Sequence, residues 1–450
     1  MKNYFCGLTV CLSVICVFGV RAQTPINIVQ ETIKSQVKDR IDNNYSVGTV
    51  VAFYENGKET YFTYGYANAD KKQVILPQSV FEIGSISKTF TSLLLADLDQ
   101  KKRIRLEDSV DKYLPDSVKV PSFNGRKITF AELATHTSGL PRMPTNIVPK
   151  NPENPYVDYG VKDLYAFLTT SQLENGMGNY NYSNVGVGLL GHELTLIAGK
   201  SYEQLLQNVI CTPLKMTQTS TLNASTWLTT GHVDHKPVSH WDFDIMAGAG
   251  AIRSNAEDLM RYLRAELDLS ADALASAMKQ SQQPLHMVDS TLKMALGWHI
   301  TAVANDEIYW HNGGTGGYRA FAGFSHKSNK AIVILNNSTQ SVDDLGMYFF
   351  NPSVTIIPSK KPLTLPKPSM QSFVGTYKIG PKLELEITLE NNQLFAKMTG
   401  EAIVSVYPET ETKLFCREVN ATIDFFRDDK GEFDKLILDL NGDKMPATRK

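Results

Sequence analysis

Strand-forming sequence at both ends of the first 340 or so residues, with helical sequence between, most constrains the fold of this chain. Gly48 to Tyr54 and Glu59 to Tyr66 are rich in β-branched and aromatic residues, and Asn56-Gly57 between them is a hairpin turn signal. Strands return late, at Leu296 to Val303, Ile308 to His311, Tyr318 to Phe324 and Ala331 to Asn336. Between the two sets, residues 110–223 read as mainly helical, and 255–267 place Leu259, Tyr262 and Leu263 on one helix side. Ile33, Val37 and Ile41 mark an amphipathic helix ahead of the first strand. Early and late strands with helices between them predict an α+β domain, an antiparallel sheet flanked by a helical region.

A second domain follows. Pro358, Pro362, Pro366 and Pro368 make residues 358–369 a Pro-rich linker, which favours an extended spacer. Beyond it come Phe373 to Tyr377, Leu383 to Leu389, Leu394 to Met398, Ile403 to Tyr407, Thr422 to Phe426 and Phe433 to Leu438. Asn391-Asn392, Asp429-Lys430-Gly431 and Asn441-Gly442 punctuate them. Short strands at even spacing predict a small all-β barrel over residues 370–450.

The N-terminus reads as a signal peptide over residues 1–22: Lys2, an apolar run from Leu8 to Val20, and Val20-Arg21-Ala22 before the cleavage site. The expectation is an exported protein of bacterial type, periplasmic or secreted, whose first domain spans 23–357. No second long apolar run occurs, so no membrane span is expected once the leader is removed. Cys211 and Cys416 fall in different domains and read as free buried thiols. Lys and Arg, 45 against 47 Asp and Glu, are spread along the chain. No basic stripe invites nucleic acid. His232, His235 and His240 fit no zinc spacing, and His192-Glu193 lacks a second histidine. No metal or other cofactor is expected.

The chemistry concentrates in Phe81-Glu82-Ile83-Gly84-Ser85-Ile86-Ser87-Lys88. Ser85 and Lys88 share a helix face at i, i+3 spacing. A lysine amine that is neutral can take the serine proton and so activate a poor nucleophile. Ser35–Lys38 and Ser276–Lys279 have the same spacing but read as solvated helix faces. Ser85 differs because Phe90, Leu93, Leu94 and Leu98 recur at helical spacing and predict a buried helix.

The octapeptide, extended through Thr89-Phe90-Thr91, resembles the nucleophile segment of class C β-lactamases, a family that includes DD-peptidases, D-aminopeptidases and lactamase-like carboxylesterases. Ile128 to Pro141 resembles the family's structural segment, and Tyr180-Asn181-Tyr182-Ser183-Asn184 its Tyr-x-Asn motif. The likeness runs from about Gly48 to about Asn337. Val374-Gly375-Thr376-Tyr377 and the strand spacing resemble the lipocalin-like domain appended to some D-amino-acid peptidases.

The resemblance implies a β-lactamase or penicillin-binding transpeptidase-like fold. It implies Ser85 as nucleophile, Lys88 and Tyr182 as proton carriers, and Asn184 as a hydrogen-bonding partner of Lys88 and of substrate. Which of Lys88 and Tyr182 acts first stays open. In place of the family's Lys-Thr-Gly the chain has His311-Asn312-Gly313. His311 is expected to donate to a substrate carboxylate or to Tyr182, Gly313 to permit close approach, and Gly314 N–H to share an oxyanion hole with Ser85 N–H. The expected function is cleavage of an amide, in a β-lactam or a D-amino-acid peptide, through an acyl-enzyme. The alternatives are a lactamase-like carboxylesterase and a catalytically inactive cell-wall-binding protein. Assembly into homo-oligomers stays open.

Overall fold

The computed structural model describes residues 25–450 apart from 174–175, 270–272, 304–305, 382 and 402. The expected leader, residues 1–22, lies outside the described residues. A nine-stranded sheet is the frame of the first domain. Gly48–Glu55 lies between Lys58–Asn68 and Lys330–Asn336, so the two ends of the domain meet side by side. Arg319–Ser325, Asp306–Gly314 and His299–Val303 continue outward from Lys330–Asn336, all antiparallel. The Asn56-Gly57 turn has φ of 53° and 75°, the left-handed pair a tight hairpin requires.

Both sheet faces are covered, and the two-residue period sorts the side chains. Val51, Phe53, Ile332 and Ile334 point to a layer built with Ile33 and Val37 of helix Pro25–Asp42 and with helix Asp343–Phe350. Val50, Ala52, Val333 and Leu335 point the other way, into the larger core. That core holds helix Ser87–Gln100, whose residues from Ser87 to Leu98 are all buried. Phe90 stacks on Tyr262, which stacks on Trp298. A helix buried all round is held by packing on every side, so its N-terminus is fixed relative to the sheet. The sequence reading leaves helix Asp343–Phe350 unassigned. Among the described residues no helix is long and apolar enough to cross a membrane.

The C-terminal strands close into an eight-stranded barrel, the last strand pairing with the first through Tyr377 and Arg449. Six of these strands match the expected runs; Lys413–Cys416 and Asp443–Arg449 are additional. Phe373, Phe425 and Phe433 pack ring on ring inside. Among the described residues Cys211 and Cys416 are buried and unpaired, in separate cores.

The Pro-rich segment is extended until a short helix at Lys367–Gln371, and it is not a free spacer. Lys360 backbone bonds the Tyr45 hydroxyl, and Leu363 N–H donates to Pro408 O at 2.8 Å. The barrel docks alongside: Tyr45, Tyr407 and Phe415 form one apolar cluster, and the Arg417 guanidinium lies 4.4 Å and 4.2 Å from the Tyr45 and Tyr407 rings. Arg319 Nη2 pairs with Glu418 at 2.9 Å, and Tyr407 donates to Asp234.

Candidate active site

Ser85 sits in a single 3-10 turn, Gly84–Ile86, that leads directly into helix Ser87–Gln100. Gly84 has φ of +50°, and a Cβ there would lie 2.6 Å from Gly314 N. A Cβ on Gly313 would lie 1.9 Å from Ile83 O. The end of strand Asp306–Gly314 therefore lies backbone to backbone against the serine turn, a closeness only glycine permits. This contact brings the Ser85 and Gly314 backbones close together.

Lys88 Nζ is 2.8 Å from Ser85 Oγ and 2.7 Å from Ala249 O. Its side chain is fully buried, and burial holds its pKa well below the ordinary lysine value, with the Arg142 guanidinium pushing the same way. The Tyr182 ring, 5.0 Å away, opposes this as a cation acceptor. A ring face favours an ammonium by about 0.5–2 kcal/mol, whereas burying an unpaired one costs several. Burial wins, and the amine is held toward its neutral form.

Burial raises the Tyr182 pKa above the usual phenol value and outweighs the nearby Ser85, which pulls it down, so Tyr182 stays protonated. The segment around it is pinned from behind. His136 adopts φ of +61°, its carbonyl accepts from Asn181 N–H at 2.7 Å, and its Nδ1 accepts from Ser183 N–H at 3.1 Å. Its ring lies 4.3 Å from the Tyr182 ring. Ser183 Oγ caps helix Asn184–Ala198 by accepting from Gly186 N–H and donates to Pro141 O. The Ile128–Pro141 segment thus acts as the cradle for Tyr182.

The chain matches the Beta-lactamase family over residues 33–350, which is most of its length. It belongs to the beta-lactamase family. Residues 359–449 match a Domain of unknown function (DUF3471). The chain is 25% identical to "Penicillin-binding protein 4*" of Bacillus subtilis over 84% of its own length and 89% of that protein. It is 29% identical to "Beta-lactamase" of Escherichia coli, covering 66% and 76%. To the D-alanyl-D-alanine-carboxypeptidase/endopeptidase AmpH of Escherichia coli it is 26% identical, covering 77% and 95%. The octameric penicillin-binding protein homologue from Pyrococcus abyssi has the same fold, with a TM-score of 0.63 at 19% identity over 93% of this chain and all of that one. A class C beta lactamase from Rhodobacter sphaeroides gives 0.60 at 21% identity, over 68% and 94%.

In this beta-lactamase family member Ser85, Lys88, Tyr182, Gly313 and Gly314 converge. Asn184 lies beside them, but its amide nitrogen faces the Met143 sulfur at 3.4 Å, while Lys88 bonds Ser85 and Ala249. His311 is fully buried 6.2 Å from the Tyr182 ring, and its Nδ1 contacts its neighbour's carbonyl, Asn312 O. Among the described residues its Nε2 has no hydrogen-bond partner. Burial, reinforced by His299 and Lys88, keeps it neutral through the physiological range. His299 stands 4.8 Å from it and is pushed down to about 4.

Three participants escape sequence reading. The Ala249 carbonyl is backbone and has no side-chain signature; Gly248-Ala249-Gly250 only shows that the chain must pack closely there. His299 is placed by register, opposite Trp310. Arg142, immediately after the cradle segment, has its guanidinium 5.3 Å from the Tyr182 ring.

Proposed function

We propose that this protein is an exported serine hydrolase that cleaves an amide, in a β-lactam or a D-amino-acid peptide, through an acyl-enzyme at Ser85. One observation carries the reading: a sealed Lys88 amine, held toward neutrality, 2.8 Å from Ser85 Oγ. A neutral amine has the lone pair that a general base needs. Ser85 Oγ attacks the carbonyl carbon as its proton passes to Lys88 Nζ. The oxyanion is held by Ser85 and Gly314 N–H. Collapse breaks the C–N bond, and the departing nitrogen takes a proton from the Tyr182 hydroxyl, which Lys88 replenishes. Water then attacks the acyl carbon, and Ser85 leaves with a proton. A tyrosine held protonated suits this donor step, which favours Lys88 as the first base. His311, held neutral, stands 6.2 Å from the Tyr182 ring as an uncharged neighbour. Asn184 positions the substrate amide.

Relatives named as a beta-lactamase and as a D-alanyl-D-alanine-carboxypeptidase/endopeptidase support an amide substrate. The octameric homologue supports self-association. Export rests on the leader sequence. The test is an activity panel of a chromogenic cephalosporin, a D-Ala-D-Ala peptide, a D-aminoacyl anilide and a nitrophenyl ester, run with wild type and Ser85→Ala. Amide turnover that vanishes in the variant supports the reading. Turnover of the ester alone assigns a carboxylesterase, and amide turnover that persists without Ser85 overturns the mechanism.

A further inference from the structure

We propose that Arg142 reads a carboxylate on the substrate, and that Glu401 of the barrel is the anion it holds when the site is empty. The inference rests on the serine-hydrolase reading and adds the residue that selects charge. Arg142 is tied to the site by its backbone, since its carbonyl accepts from Asn184 N–H at 2.9 Å. Its guanidinium lies 5.3 Å from the Tyr182 ring and is near enough to Lys88, His136 and Tyr180 to shift their proton affinities. Any anion bound by this guanidinium therefore lies beside the reacting serine.

The other positive candidates around the site are occupied or uncharged. Arg319, across the strand from Gly314, donates to Thr315 O and Tyr318 O and pairs with Glu418. Lys88 is sealed against Ala249. His136, His299 and His311 are buried and held neutral. Arg142 alone of this set keeps about half its side chain, 47%, open to solvent.

Its partner is an exchangeable one. Arg142 Nε lies 3.7 Å from Glu401 Oε2, and Glu401 is itself 45% exposed. That is a long contact from the turn after barrel strand Gln393–Met398, with both groups about half open to solvent. Exposed ion pairs of this kind contribute little. A substrate carboxylate that meets the guanidinium in two-pronged geometry makes a stronger, charge-assisted contact. Substrate therefore displaces Glu401, and the barrel acts as a built-in competitor at the rim. This gives the second domain a part in specificity without a residue in the chemistry.

The experiment uses one acyl donor in two charge states on the full chain: benzoylglycyl thioglycolate, whose leaving group carries a carboxylate, and its methyl ester. Thiol release reports cleavage of the same thioester bond in both. Arg142→Gln is expected to lower the acid-to-ester ratio of kcat/KM by about tenfold or more, mainly through KM, the scale of one charge-assisted hydrogen bond. The ratio cancels any effect of Arg142 on Lys88, which both substrates share. Glu401→Gln is expected to raise the ratio by about two- to fivefold. Thiol release that depends on Ser85, with an unchanged ratio in Arg142→Gln, overturns the inference and leaves the hydrolase reading intact. Release that does not need Ser85 overturns both. A ratio that stays flat or falls in Glu401→Gln removes Glu401 as the competitor.

Discussion

The two β systems of this protein solve the same problem in opposite ways. The nine-stranded sheet is open and buries both faces under helices, while the eight-stranded barrel closes on itself and fills its interior with Phe373, Phe425 and Phe433. An open sheet leaves strand ends at which chemistry can be assembled. Here the end of Asp306–Gly314 meets the N-terminus of a buried helix, and Ser85 stands at that junction. A small closed barrel has no such interior seam once its rings are packed. It reaches the site only from outside, through Glu418 on Arg319 and Glu401 on Arg142. The difference predicts that changes in the first domain's junction alter chemistry, while changes in the barrel alter stability and selectivity.

The largest expected effect is at Lys88. Lys88→Met keeps the apolar volume and removes the amine, so acylation should fall by about 10²–10⁴-fold, the span of general-base catalysis. The thermal midpoint should change little, because relief of the buried amine's desolvation offsets the loss of its hydrogen bonds to Ser85 Oγ and Ala249 O. A variant that melts early and retains its rate would make Lys88 a structural residue.

Second comes the barrel core. Phe425→Ala should cost about 3–5 kcal/mol of barrel stability, read by calorimetry. The rate of Ser85 acylation at a temperature where the barrel stays folded should change less than about tenfold. An equal loss of acylation there would erase the distinction between the two regions.

Third is the pH response of the junction. Lys88 must be neutral to act, so the rate should rise with pH through its lowered pKa, well below 10.5. Arg142 helps lower that pKa, so Arg142→Gln should move the rise to higher pH. Folding stability carries the same signature. Between the lowered folded-state pKa and the unfolded value near 10.5, the unfolded chain binds the extra proton. Lys88 therefore makes stability increase with pH across that window, and Lys88→Met should remove the slope. An identical slope in the variant would place the titration elsewhere.

The smallest effect is at the seam. Tyr407→Phe deletes the hydrogen bond to Asp234 and should cost about 0.5–1.5 kcal/mol in urea unfolding, with no change in acylation rate.

What the sequence could and could not show follows the same division. The hairpin at Asn56-Gly57 and the late strands are legible because β-branched and aromatic runs are bounded by turn residues. The junction residues are legible because Ser85, Lys88, Tyr182 and the His311-Asn312-Gly313-Gly314 run each carry a side-chain or glycine signature. Asp443–Arg449 is hard to see because Pro446 cannot donate to a ladder and Asp443, Lys444, Thr448 and Arg449 make its ends polar. Lys413–Cys416 is only four residues long. The docked linker is invisible because proline density predicts extension but not what an extended segment lies against. Asn184 shows the limit of motif reading: its position follows from the motif, but its contact with Met143 rather than Lys88 is set by tertiary packing.

The central claim is that Ser85, activated by a neutral Lys88, carries the acyl group. The most direct test is to quench the enzyme during turnover of a slowly deacylating β-lactam and map the adduct by peptide mass spectrometry. The account predicts one acyl group on the peptide containing Ser85, absent from Ser85→Ala and formed far more slowly in Lys88→Met. An adduct on any other residue, or turnover that continues in Ser85→Ala, would contradict it.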